Sequence, residues 1–434
     1  MNGLDWNIDL FNNLVLIIRQ WKENFASWML QYYHKLRGAV SLIIDHMRRI
    51  ILHLDLDAFF CAVEETRDPS LRGKAFAVGG KPDERGVVAS CSYAARMLGV
   101  RSAMPMIRAL RLCPQLIIVS SRHKVYGEVS RQVMARLNKL TPLVEQISID
   151  EAFLDISDIN ESPERLARRL QAGIRDELNL PCSIGIASNK LVAKIATEVG
   201  KKAAKGGSPP FALTIVPAGE EAAFLAPLPA EMLWGVGPKT SARLNELGIH
   251  TMGDIAKWPE AEMIRLFGEN GRELSRHAKG IDNRSIVTER ETKSISQEET
   301  FARDVRDDKS LEKTIREQSS EVARQLRSNN LAGTTIKLKI RWPDFTTLTR
   351  QTTLSQPTDQ GEEISKAALD LMRAVRKSGQ AVRLIGVGMS GLGPPIRQLS
   401  LWDTESEKSR RLQEAIDELK QKFGDQVIQK GEQR

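Results

Sequence analysis

Acidic residues inside apolar strands constrain this chain more than any other feature of its sequence. The run Leu52-His53-Leu54-Asp55-Leu56-Asp57 alternates in the way typical of a strand with one face against a core, so Asp55 and Asp57 share a face. Burying a carboxylate is costly without a compensating cation, so this pair predicts a bound or paired cation. The alternative, an aspartate capping a helix that starts near Ala58, explains one acid more easily than both.

A second acidic site follows about a hundred residues later. Asp150 and Glu151 are adjacent and flanked by apolar residues, as expected when a tight hairpin presents both carboxylates at a strand end. Mg²⁺ prefers hard oxygen ligands, and acids from two strands can hold two such ions about 3.5–4 Å apart for in-line phosphoryl transfer. Together, Asp55, Asp150 and Glu151 predict nucleotidyl transfer, although each motif alone is a weak signal.

Length and charge indicate several domains and a polyanionic partner. The 434 residues exceed one compact core, and a net charge of +8 favours nucleic acid, although a solvated basic surface is an equally good explanation. Four scattered cysteines indicate neither a disulfide framework nor a zinc site. With no signal peptide and no apolar run long enough to span a membrane, we expect a cytoplasmic protein.

The pattern of apolar residues divides the chain into five segments. Residues 1–46 are rich in aromatics and are either an amphipathic docking helix or an upstream extension without function. Residues 47–226 alternate short strands and helices, 227–288 are helical, 289–393 again mix strands and helices, and 394–434 form a polar tail. We therefore predict a catalytic region, a helical module, a second mixed domain and a flexible end.

Four motifs in order carry a resemblance to a known family. They are Asp55–Phe60 with Val63-Glu64, Val87–Arg96, Ser148–Ala152 and Ser183–Lys190. This series resembles the Y family of translesion DNA polymerases, in the bacterial branch called DNA polymerase IV, from about Met47 to about Gly393. The resemblance implies an α+β multidomain right-hand polymerase with palm, small fingers, a helix-hairpin-helix thumb and an appended α/β little finger.

The resemblance also implies roles for individual palm and fingers residues. Two Mg²⁺ ions would be bound by Asp55, Asp150, Glu151 and the Leu56 carbonyl, while Asp57 matches no direct ligand. Phe60 matches a steric gate that excludes ribose, although plain core packing is its alternative. Three residues match groups that hold the incoming deoxynucleoside triphosphate: Tyr93, Arg96 and Lys201.

Two further segments predict contacts with primer-template DNA. Gly235, Gly237 and Lys239 belong to a helix-hairpin-helix turn, whose backbone N–H groups can bind phosphate without reading sequence. Lys337, Lys339 and Arg341 alternate with apolar residues, so they share one strand face and predict phosphate contacts there. An edge strand protected by lysines is the alternative for this second segment.

The tail carries a short peptide that resembles the sliding-clamp motif of bacterial polymerases. Its anchors would be Gln398, Leu399, Leu401 and Trp402. As a whole, the resemblance implies a monomeric, template-directed polymerase of low fidelity that acts in translesion synthesis, without a proofreading exonuclease. Two rivals stay open: a palm-type nucleotide cyclase, which has no use for the DNA-binding segments, and a non-catalytic DNA-binding adaptor, which would not need the acids.

Overall fold

The computed structural model describes residues 49–204 and 206–395, with six further positions between 412 and 423. This part of the chain forms two compact units. Of the described residues, the first holds 49–79, Val88–Met104 and Arg108–Glu289; the second holds Gly80–Val87, Pro105–Ile107 and 290–395. Within the described ranges, no helix has both the length and the apolar character that a membrane crossing requires.

A five-stranded sheet in the order β5-β6-β1-β7-β8 lies at the centre of the first unit. Its strands are β1 Ile51–Leu56, β5 Val144–Gln146, β6 Glu151–Asp155, β7 Cys182–Ala187 and β8 Leu213–Ile215. β1 pairs antiparallel with both β6 and β7, so it is covered on both edges and its apolar residues are fully buried. Strand β1 therefore holds Asp55 near the end of a strand that is paired on both sides.

Helices cover this sheet. They are α1 Phe59–Arg67, α4 His123–Leu140, α5 Pro163–Leu178 and α6 Lys190–Ala203. Leu52, Leu54 and Leu56 join a core with residues of α1, α4 and α5, whereas Ile51 packs in a second core with the apolar face of α6. The polar face of α6 is thereby placed beside the acidic end of β1.

A three-stranded sheet in the order β3-β2-β4 lies beside α1 in the same unit. Its elements are β2 Phe76–Gly79, β3 Val88–Cys91 and β4 Ile117–Ser120, with the short helices α2 Tyr93–Met97 and α3 Met106–Leu112. Ser92 caps α2 by accepting a hydrogen bond from the backbone of Ala95. This cap starts α2 at Tyr93.

The remainder of the first unit is helical. Its helices are α7 Glu221–Leu225, α8 Pro238–Glu246, α9 Met252–Lys257, α10 Glu260–Phe267 and α11 Glu269–Ala278. Pro238 stands in the first turn of α8, where its missing N–H costs nothing, and a full capping box at Thr251 starts α9. These helices pack in the same core as the apolar face of α6.

The second unit is a four-stranded antiparallel sheet in the order β11-β10-β12-β9, with two helices on one face. The elements are β9 Ser294–Val305, α12 Asp308–Ser328, β10 Ala332–Arg341, β11 Thr347–Thr358, α13 Gly361–Val375 and β12 Val382–Gly393. Ile336, Leu338 and Ile340 of β10 are buried against the helices. The alternate residues of β10 consequently face away from the core.

Three expectations differ from the structure. Strand β1 ends at Leu56, so Asp57 lies in the turn that follows the strand and not within it. The capping alternative for Asp57 is wrong, since the N-cap of α1 is Ala58 and makes no side-chain cap bond. The edge-strand alternative for residues 337–341 is also wrong, because β10 lies between β11 and β12.

Candidate active site

The pairing of β1 with β6 sets Asp55 directly opposite Glu151. The N–H of Leu56 donates to the backbone carbonyl of Asp150 at 3.0 Å, so the turn before β6 is attached to the end of β1. The three acids predicted as metal ligands are thus brought to the same end of two neighbouring strands. The Leu56 carbonyl belongs to the same strand end.

Asp55 is buried and its nearest cation is Lys201 of α6, whose Nζ lies 2.5 Å from Asp55 Oδ1. Burial raises the pKa of Asp55 to about 8; Lys201 opposes this rise, and Glu151 adds to it. Burial by itself would lower the pKa of Lys201, but Asp55 and Asp57 outweigh that effect and raise it. Each of the two groups therefore opposes the loss of charge that burial favours in the other.

The other two acids also have partners. Lys194 Nζ lies 2.8 Å from Glu151 Oε1, and the hydroxyl of Ser148 donates to Asp150 Oδ1 at 2.5 Å. Consistent with these engagements, the described residues contain no group of three acids, histidines or cysteines already arranged around a metal position. The donor set nevertheless fits Mg²⁺, because it consists of hard carboxylate oxygens, two of them accompanied by a positive charge that a cation can replace.

Asp57 lies in the turn after β1 and has a different environment from Asp55. It is fully buried, it accepts hydrogen bonds from the Ser183 hydroxyl at 3.0 and 2.9 Å, and it lies 3.4 Å from Lys201 Nζ. The same serine hydroxyl accepts a bond from the backbone of Ala212. Asp57 thus contacts both Ser183 and Lys201.

Phe60, the predicted steric gate, lies on a stack of aromatic rings. Its ring is 4.3 Å from the ring of Tyr126 of α4, at an interplanar angle of 15°. The Tyr126 hydroxyl donates to Glu64 Oε1 at 2.7 Å, and Arg122 pairs with the other carboxylate oxygen of Glu64. Phe60 is half-buried and held from one side, which leaves its ring orientation fixed by α4.

Tyr93 and Arg96 sit together on α2. The Arg96 guanidinium lies 4.7 Å from the centre of the Tyr93 ring, and its Nε donates to the carbonyl of Cys91 at 3.2 Å. A cleft beside Tyr93 is lined by Lys74 and by two acids, Asp57 and Glu65, among smaller residues. Arg96 lies on α2 outside this lining, and the ring contact places its guanidinium beside Tyr93.

Several residues of this site were not found from sequence. They are Lys194, Ser148, Ser183, Tyr126 and His53. His53 is buried next to Asp55, with Nδ1 2.9 Å from Thr197 Oγ1 and, among the described residues, no partner for Nε2. Burial, with Lys194 and Lys201 nearby, holds its pKa well below the usual value, so the ring is neutral. Of these residues, Lys194 could have been predicted from sequence, because its spacing from Lys190 and Lys201 places all three on one helix face.

The predicted DNA-contact residues lie on exposed elements. Gly237 is the N-cap of α8, Lys239 lies in its first turn, and Gly235 adopts a φ of 97°, in the left-handed region that favours glycine. Lys337, Lys339 and Arg341 line the helix-free face of β10, where Lys339 pairs with Glu298 at 2.7 Å. The predicted clamp residues Gln398, Leu399, Leu401 and Trp402, and the segment 1–46, lie outside the described residues.

Comparisons with known proteins identify the family. Residues 54–198 match the impB/mucB/samB family and residues 292–401 match the impB/mucB/samB family C-terminal domain. The chain is 41% identical over 387 residues to DNA polymerase IV of Dehalococcoides mccartyi strain BAV1, covering 88% of this chain and 97% of that protein. It is also 38% identical to DNA polymerase IV of Listeria innocua, covering 81% of this chain and 97% of that protein.

Two solved structures show the same fold. A Y-family DNA polymerase chimera, Dbh-Dpo4(243-245)-Dbh, matches with a TM-score of 0.71 at 28% identity, covering 80% of this chain and 99% of its own. DinB from Sulfolobus solfataricus matches with a TM-score of 0.53 at 29% identity, over 79% of this chain and 98% of its own.

Proposed function

This chain belongs to the Y family of DNA polymerases, among the DNA polymerase IV proteins, and from this premise we propose that its palm acids run a two-metal nucleotidyl transfer. As a DNA-directed DNA polymerase of this family it acts in translesion synthesis and DNA repair. We further propose that the protein is a cytoplasmic monomer that copies DNA with low fidelity, uses two Mg²⁺ ions and has no proofreading exonuclease.

One observation carries the metal assignment: Asp55 and Glu151 face each other in register, and each meets a lysine at hydrogen-bond distance. Two carboxylates that face each other on paired strands cannot both stay ionised without positive charge between or beside them. Asp55, Glu151, Asp150 and the Leu56 carbonyl are the groups that would hold Mg²⁺. Such ions stabilise both the attacking and the leaving oxygen during phosphoryl transfer.

The remaining site residues act on the nucleotide. Tyr93 and Arg96 would grip the triphosphate from α2, and Lys201 would move from Asp55 to the phosphates once a cation neutralises that acid. Positive charge placed there offsets the negative charge that develops on the leaving pyrophosphate. Phe60, braced by Tyr126, would lie against the sugar and exclude a 2′-hydroxyl.

Primer-template DNA would be bound by the turn before α8 and by the open face of β10. Backbone N–H groups at Gly235 and Gly237, together with Lys239, suit a phosphate, and the row Lys337, Lys339 and Arg341 suits the backbone of a duplex. Both surfaces contact phosphates rather than base edges. The polymerase is therefore expected to bind templates without sequence preference.

The test is primer extension on an undamaged template with four deoxynucleotides and Mg²⁺, run with the wild type, Asp150→Ala and the control Asp158→Ala, which changes an exposed aspartate of the same unit. We expect metal-dependent extension by the wild type and control and its loss in Asp150→Ala, with DNA binding nearly intact. Residual wild-type activity in Asp150→Ala would refute the ligand assignment. No extension by any form, with DNA still bound, would favour the adaptor.

The clamp peptide stays a proposal with its own test. Leu401 and Trp402 would fill an apolar pocket on a sliding clamp, with Gln398 and Leu399 at its rim. The double variant Leu401→Ala, Trp402→Ala should lose stimulation by the clamp while its clamp-free synthesis is unchanged. Equal stimulation of both forms would remove the assignment.

A further inference from the structure

Three lysines of α6 form a row along the five-stranded sheet of the first unit. Lys190, Lys194 and Lys201 are four and seven residues apart, so they lie on one helix face. Each ammonium contacts one acid. Lys190 Nζ lies 2.8 Å from Glu145 Oε2, and Lys194 Nζ lies 2.8 Å from Glu151 Oε1. Lys201 Nζ lies 2.5 Å from Asp55 Oδ1. One helix thus supplies the counter-charges for this sheet.

The most buried ion pair of the row joins Lys190 and Glu145. The side chains of Lys190 and Glu145 are only 5% and 3% exposed. Lys190 also donates to the carbonyl of Ser285 at 2.8 Å, and the N–H of Val287 donates to the same Glu145 oxygen at 3.0 Å. Opening this pair would leave several buried polar groups without partners, so it is structural.

The pair of Lys194 with Glu151 has the opposite character. Its side chains are 23% and 21% exposed, and it lies beside the acids that would bind metal. Partly exposed ion pairs contribute little to stability and open readily. Lys194 also has a flexible four-carbon stem that lets its ammonium withdraw without moving the helix.

We propose that Lys194 acts as a placeholder for the metal: its ammonium, 2.8 Å from Glu151 Oε1, occupies this carboxylate until a divalent cation displaces it. This inference rests on the proposed metal site of Asp55, Asp150 and Glu151. Without Lys194, two facing carboxylates would have Lys201 as their neighbouring counter-charge. With Lys194 in place, the ion has to displace one ammonium to reach Glu151, so Lys194 competes with the metal.

The experiment is a titration with Mn²⁺ of the full-length protein, without DNA or nucleotide, followed by the electron paramagnetic resonance signal of free Mn²⁺. Lys194→Met is expected to tighten Mn²⁺ binding about fivefold, since the competing ammonium is gone. Lys194→Arg keeps the charge and should bind Mn²⁺ as the wild type does. Lys202→Met, at an exposed position of the same helix, is the matched control and should also be unchanged.

Unchanged or weaker Mn²⁺ binding by Lys194→Met would overturn the proposal, as would equal behaviour of the Met and Arg variants. Asp55→Asn separates this failure from that of the metal site itself. If Asp55→Asn loses Mn²⁺ binding while Lys194→Met does nothing, the role of Lys194 falls and the metal site stands. If Asp55→Asn binds Mn²⁺ like the wild type, the metal assignment falls and the role of Lys194 falls with it.

Discussion

The two large sheets of this protein carry charge in opposite ways. In the first unit, Asp55, Asp57 and Glu145 are buried within or beside apolar strands, and each lies close to a lysine of α6. In the second unit, the cations of β10 stand on a partly exposed face, and Lys339 pairs with Glu298 across the surface. Buried charges need specific partners, whereas exposed ones act through their sum. Single substitutions should therefore have large effects in the first sheet and small, additive effects in the second.

The largest contrast is expected at Lys201. Lys201→Met removes the ammonium proposed to reach the triphosphate and should lower the rate of nucleotide addition by about 10²–10³-fold. Single-turnover primer extension at saturating DNA measures this, with Lys202→Met as control and circular dichroism to check folding. A rate within threefold of the wild type would show that Lys201 is only a structural partner of Asp55.

Breaking equivalent pairs in the two units tests stability in the same way. Lys190→Met removes the buried ammonium 2.8 Å from Glu145, which should lower the free energy of unfolding by about 3–5 kcal/mol. Lys339→Met breaks an exposed pair and should cost less than about 1 kcal/mol. Urea denaturation followed by tryptophan fluorescence gives both values, and equal losses would contradict the contrast.

Sugar selection tests whether one ring of the first unit works alone. Phe60→Ala opens space beside the proposed sugar position and should reduce discrimination against ribonucleotides by about 10²-fold. Incorporation efficiencies for matched ribo- and deoxynucleotides measure the ratio. Phe345→Ala, which removes a 63% exposed ring from the second unit, is the control and should leave the ratio unchanged. An unaltered ratio in Phe60→Ala would return Phe60 to plain core packing.

The smallest effects are expected on the open face of β10. Changing Lys337, Lys339 or Arg341 singly to Gln should weaken DNA binding by a few fold, equally for unrelated sequences, and lower the salt dependence by about 0.9 in logarithmic slope. Fluorescence anisotropy at several salt concentrations gives both numbers. If one variant alone abolished binding, or if the loss depended on sequence, this face would be a specific site instead of a distributed one.

The sequence by itself determined the family, the fold class and the acidic residues of the candidate site. Asp55, Asp57 and the pair Asp150-Glu151 stand out because charges inside apolar strands have few explanations, and strict alternation identified the cationic face of β10. The roles of the individual site residues stay predictions that the experiments above address.

Only the tertiary structure decided how these residues are paired. The register of β1 with β6 sets Asp55 against Glu151, the packing of α6 delivers Lys194 and Lys201 to those acids, and α4 places Tyr126 under Phe60. Strand order likewise decided that β10 lies inside its sheet. Such contacts join residues tens of positions apart, and they depend on which strands become neighbours and how a helix is rotated on a sheet. Local periodicity records which face of an element is apolar, but it holds no information about what that element's polar face will meet.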